Sequence, residues 1–85
     1  MNTGKNGIRT VTLNGDGLTP AAAAERLGLP SWAGKNRDAL YEALTDICRP
    51  TAIFLQNPMA AEPILRQVLQ DAAAANSRLW IFTLA

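Results

Sequence analysis

Three short stretches, a β-branched one at residues 8–13 and apolar runs at 51–55 and 79–84, alternate with segments of helix composition. This alternation constrains the fold more than any other feature of the chain. Antiparallel strands can be joined by a two-residue hairpin, but parallel strands need a crossover of a dozen or more residues, usually helical. The spacing therefore predicts an α/β chain: a small three-stranded parallel sheet packed with helices, in the order β-α-α-β-α-β. The two later runs are almost continuously apolar, which predicts strands covered on both faces.

Proline, glycine and capping residues set the boundaries. Thr19-Pro20 supplies an N-cap and a first-turn proline, and Gly28 ends the helix that follows. Asn36 is placed to cap a second helix running to about Ile47 or Cys48, and Pro50 prevents its continuation. Asn57-Pro58 starts a turn, at most one helical turn. Pro63 opens a helix over 64–75, with Asn76 as the residue that ends it. The alanine runs at 21–24 and 72–75 allow helices to approach a small sheet closely.

Eighty-five residues suffice for one domain, read here as 8–85 behind a loose, flexible tail at 1–7. A chain of this size buries roughly 60–65% of its unfolded surface, enough for one core. With 48% hydrophobic and 18% charged residues the chain is globular rather than disordered. The net charge of +1 is no footprint for nucleic acid, so recognition by charge must come from a local patch. The lone Cys48 cannot form an internal disulfide, and without histidine no Cys/His zinc set exists. No secretory leader is visible in MNTGKNG, and the apolar runs are far shorter than a membrane span. The expected location is cytoplasmic.

The second helix carries acids at 38, 42 and 46, each four residues after the last. Like charges at that spacing repel by a few tenths of a kcal/mol per pair. At about 100° per residue, Leu40, Ala43, Leu44 and Ile47 form the core stripe. Asp38, Glu42 and Thr45 lie opposite, flanked by Tyr41 and Asp46. Asp38 in the first turn suits the helix dipole, whereas Asp46 at the far end opposes it. Lys35 and Arg37 are placed to neutralise part of the patch. Two readings remain open: a merely solvated face, or a surface for a cationic partner. Trp32 in the preceding loop is likewise either a core lid or a contact residue. Catalysis is disfavoured, because the acids lie on an outer helix face and no nucleophile–base pattern or phosphate loop occurs.

The run LGLPSWAGKNRDALYEALTD, residues 27–46, resembles the barstar family of intracellular inhibitors of secreted bacterial ribonucleases. Leu29, Pro30, Gly34, Asn36, Asp38, Ala39, Leu40, Leu44 and Thr45 stand where that family's pattern has them. With looser flanks the resemblance covers roughly 8–84. It implies three parallel strands packed with helices. It also implies that the second helix and the loop before it plug the basic active site of a small guanyl-type ribonuclease in a 1:1 protein complex. No cofactor, membrane or direct nucleic-acid contact is implied. On this resemblance Asp38 pairs with cations at the mouth of the site, and Glu42 is the central phosphate mimic. Trp32 lies over the cleft, Tyr41 stands for a Trp, and Thr45 keeps a hydroxyl. Gly34, Asn36, Arg37 and Asp46 complete the contact stretch, and Asp71 is the remaining interface acid.

The chain departs from the family pattern at several positions. Glu42 is one methylene longer than the usual Asp, and Asp71 is shorter than the usual Glu. Ala33 lacks a second loop aromatic, and Lys35 and Arg37 are basic. The connection from the second strand to the last helix is shortened, which predicts a reduced helix there. The alternatives to a ribonuclease inhibitor are an immunity protein for a different toxin nuclease and a non-inhibitory regulatory interaction domain.

Overall fold

Alternation along the strands decides what the sheet buries. In the computed structural model, which describes residues 7–84, β1 (Arg9–Asn14), β2 (Thr51–Gln56) and β3 (Leu79–Leu84) form one parallel sheet. Their order is β1-β2-β3, with Val11 opposite Ile53 and Ile53 opposite Ile81. The helices are α1 (Pro20–Leu27), α2 (Arg37–Thr45) and α3 (Pro63–Ala75), with short 3-10 turns at Ser31–Gly34 and Pro58–Ala60. The element order is the β-α-α-β-α-β read from the sequence. The tail expected at 1–7 lies, except for Gly7, outside the described residues.

Each helix begins where its capping chemistry places it. Thr19 Oγ1 accepts from the Ala22 N–H at 3.0 Å, with Pro20 in the first turn. Gly28 closes α1 at φ 67°, a left-handed conformation that glycine adopts without Cβ strain. Asn36 Oδ1 accepts from the Ala39 N–H at 2.8 Å and starts α2. Pro63 occupies the first turn of α3. Arg9 ties β1 to the end of α1 by donating from Nη2 to the Leu27 carbonyl.

The core lies between the sheet and the helices. Val11, Leu13, Ile53, Leu55 and Leu79 meet Leu27, Leu40, Leu44, Leu65 and Leu69, with Ala23, Ala24, Ala43 and Ala72 between them. The small residues let backbones approach: a Cβ on Gly34 would stand 2.8 Å from Ala21 Cα.

Three expectations change. The sheet is covered on one face only. Both β-α-β crossovers advance in the same direction, and right-handed connections then put their helices on the same side. Trp80, Phe82 and Leu84 remain 39%, 46% and 42% exposed on the other face, and Phe82 stacks on Phe54 at 5.2 Å. Second, α2 ends at Thr45, not at Ile47 or Cys48. The Asp46 N–H turns back to the Ala43 carbonyl and the Ile47 N–H to the Leu44 carbonyl, which closes the helix. Third, Asn76 ends α3 in an extended conformation, φ −128° and ψ 109°, and its side chain leaves the helix to serve α2. The shortened connection is the turn Pro58–Ala60, introduced by Asn57 at φ 48°.

Candidate partner-binding face

The buried stripe of α2 is Leu40, Ala43 and Leu44, with Ile47 half-buried beyond its end. That packing turns the opposite side to solvent. Asp38 and Glu42 are exposed there, four residues apart, and Asp46 follows as the C-terminal cap. Among the described residues, no Lys or Arg nitrogen lies within 4.0 Å of any of these three carboxylates. Their charge therefore faces water without a partner among the described residues. The Asp46 carboxylate also sits at the carbonyl end of the helix, where the dipole disfavours it.

Thr45 is half-buried rather than fully outward. Its hydroxyl donates to the Glu42 carbonyl at 2.8 Å, which leaves the oxygen lone pairs free to accept. Asn36 is exposed, but its side-chain oxygen is committed to the helix cap. Gly34 is half-buried against Ala21 and shapes the loop from beneath.

Both aromatics of this stretch reach solvent. In the turn Ser31–Gly34 it is Ala33 that is fully buried, while Trp32 is 45% exposed. The core-lid reading of Trp32 therefore fails, because the small side chain fills the space under the loop. Tyr41 is 37% exposed on the flank of the acidic face. Large rigid side chains beside charges, at low entropy of ordering, are the usual makings of a protein-binding surface.

Two further acids come from α3. Arg37, Asp38, Asn36 and Pro20 line a shallow depression together with Glu62. Glu62 stands just before α3, makes no side-chain capping bond, and was not singled out in the sequence. The only signal was an acid directly ahead of a first-turn proline, which reads as an ordinary cap. Asp71 is exposed in the middle of α3 and accepts from Gln67 Nε2 at 2.8 Å. Gln67, its partner, lines the groove between α3 and β3 together with Arg66 and Gln70. Of the chain's seven acids, only Asp16 and Glu25 lie outside α2, α3 and their caps. Lys35 and Arg37 are exposed at the N-terminal end of the same face and give it a basic corner.

Among the described residues, no group of three or more His, Cys, Asp or Glu side chains is arranged to hold a metal ion. Cys48 is exposed, with its Sγ 3.5 Å from the Asp46 carbonyl. No helix among the described residues is long and apolar enough to cross a membrane.

Comparison with known proteins bears on this arrangement. The family model described as Barstar (barnase inhibitor) matches residues 9–83, from the first residue of β1 almost to the end of β3. Neither the curated proteins nor the solved structures contain a significant match to the chain. The match takes in all three strands, all three helices and the acidic face of α2. This chain belongs to the barstar family of barnase inhibitors.

Proposed function

We propose that the protein inhibits a secreted guanyl-type ribonuclease by laying the acidic face of α2, and the Trp32 loop before it, into the enzyme's basic active site. The observation that carries this reading is the exposure of Asp38 and Glu42 without cationic partners, beside exposed Trp32 and Tyr41. A ribonuclease cleft is built to hold phosphates with Arg and Lys. Carboxylates fixed on a rigid helix present the same charge to that cleft with little conformational entropy to lose. Glu42, mid-helix, reaches the deepest cations, and Asp38 serves those at the rim. Asp46, Glu62 and Asp71 extend the negative field around them. Trp32 and Tyr41 cover the cleft, and Thr45 accepts a hydrogen bond at the edge. The i,i+4 repulsion within α2 is relieved when the cationic partner docks.

On this reading the domain works in the cytoplasm, as an antitoxin that shields the producing cell until the enzyme is secreted. It contacts no RNA itself, because it occupies the phosphate subsites. Titrating a guanyl-type ribonuclease from the same genome with the purified protein should abolish RNA cleavage at one equivalent. Undiminished cleavage at tenfold excess sinks the proposal.

A second reading is favoured by Lys35 and Arg37, exposed at one corner of the acidic face. The target would then be a different toxin nuclease, whose basic cleft is bordered by acids that meet these cations. Co-purification with the product of a neighbouring toxin gene, without inhibition of guanyl-type ribonucleases, distinguishes it.

A further inference from the structure

A buried cation lies where α3 borders β3. Arg66 lies there in a groove between α3 and β3 lined by Leu55, Pro63, Gln67, Gln70 and Thr83. Its Nε is buried and has no hydrogen-bond partner. A buried N–H left unpaired destabilises a protein, so its retention calls for an acceptor. None of the residues lining the groove is acidic. Glu62, one helical turn before Arg66, instead borders the depression beside Asp38, and the Gln67 amide is engaged with Asp71.

The groove opens between α3 and the paired residues Leu55 and Thr83 of β2 and β3, and β3 is the outer strand of the sheet. Among the described residues β3 pairs only with β2, which leaves a row of backbone donors and acceptors on its other side. Proteins usually guard such an edge with lysine, proline or an inward charge. The strand LWIFTL has none of these. Its side chains alternate: Trp80, Phe82 and Leu84 on the open face, Leu79, Ile81 and Thr83 on the helix side.

We infer that the β3 edge binds an extended segment of a partner protein, which adds a fourth strand to the sheet and places a carboxylate on Arg66. An added strand would alternate in the same way. Its apolar residues would lie beside Trp80 and Phe82, and its acid would enter the groove toward the guanidinium. The charge requirement selects the occupant. A second copy of β3 would present only Leu, Ile and Thr on the helix side, leaving Arg66 unpaired. An acid flanked by apolar residues satisfies both faces. This site is separate from the acidic face of α2 and does not depend on the ribonuclease reading.

The test uses the full chain with two synthetic peptides, acetyl-Thr-Val-Glu-Val-Thr-amide and its glutamine counterpart. Titration to millimolar peptide is followed by the NMR signals of Arg66 Nε–H and of the β3 amides, and by Trp80 fluorescence. The glutamate peptide should shift the Arg66 Nε–H and the amides of Leu79–Leu84. The glutamine peptide should bind about tenfold more weakly or worse, the difference expected for loss of a charge-assisted bond. Arg66→Gln should abolish that preference while leaving the far-UV circular dichroism unchanged. If this variant does not fold, the preference of the unaltered protein for the glutamate peptide decides alone. Equal binding of the two peptides, binding that leaves the Arg66 Nε–H unmoved, or no binding at all overturns the proposal.

Discussion

The side-chain amide of Asn76, buried at the end of α3, donates to the Leu44 carbonyl of α2 at 3.0 Å. The same Nδ2 donates to the Ile47 carbonyl at 2.9 Å, and Oδ1 accepts from the Arg78 N–H at 2.9 Å. One residue thus closes the exposed end of α2, turns the chain into β3 and holds the two helices in register. Carbonyls at a helix end lack partners within the helix, and here a neighbouring element supplies them.

Asn76→Ala should destabilise the protein by about 1–3 kcal/mol, since it leaves the part-buried Ile47 carbonyl and Arg78 N–H without the partners they have here. Urea unfolding followed by circular dichroism measures the loss. Hydrogen exchange should also quicken at the Asp46 and Ile47 amides, which lie in the turn that Asn76 secures. A loss below about 0.5 kcal/mol would show that water replaces the side chain without penalty.

Gly34→Ala would force a Cβ to within 2.8 Å of the Ala21 backbone. Backbone cannot yield as a flexible side chain does, so the loop must move at a cost of about 1–3 kcal/mol. Thermal unfolding should register the loss, and the Trp32 fluorescence should shift with the loop. An unaltered melting temperature would mean that the turn Ser31–Gly34 is less closely seated on α1 than its geometry indicates.

Glu42→Gln should separate binding from folding. Stability should stay within about 0.5 kcal/mol of the unaltered protein, because the side chain is exposed and its removal relieves repulsion with Asp38. Affinity for the target ribonuclease, measured by calorimetry, should fall by about 2 kcal/mol or more. A much smaller effect would remove Glu42 from the centre of the proposed interface.

The association rate with that enzyme should fall about tenfold or more between low salt and physiological ionic strength, since the local acidic field steers the encounter. Stopped-flow fluorescence on Trp32 reads it. A rate independent of salt would rule out charge as the guide, whatever the final affinity.

The two faces of the sheet should respond differently to substitution. Ile53→Ala empties a fully buried core position and should cost about 2–5 kcal/mol. Phe82→Thr removes a ring that is 46% exposed, so its loss should be closer to the stacking term with Phe54, about 0.5–1.5 kcal/mol. Comparable losses from the two variants would mean that the outer face is covered in solution.

The strand and helix order was legible because its determinants are local. Thr19-Pro20, Gly28, Asn36 and Pro63 act on the backbone within a few residues, and each appears where its chemistry requires. The acidic face of α2 was legible too, since helical periodicity alone sends Leu40 and Leu44 inward and Asp38 and Glu42 outward. Trp32 was ambiguous, because a loop aromatic beside an alanine gives no local indication of which side chain fills the gap. Glu62 is not legible in the sequence, because nothing within its own segment reveals that it borders the same depression as Asp38.

The sequence by itself determined the elements, their order, the parallel sheet and the charge of one helix face. These follow from crossover length, capping chemistry and periodicity, which act over a few residues or along one element. Only the packing of the elements decided that the helices share one side of the sheet, so that Trp80 and Phe82 stay exposed at its open face and Arg66 Nε lies buried without a partner where α3 borders β3. It alone decided that Asn76 completes a helix 30 residues away in the chain. The physical reason is the same in each case. The handedness of the crossovers and the packing of one element on another settle which surfaces meet, and no single segment contains that information.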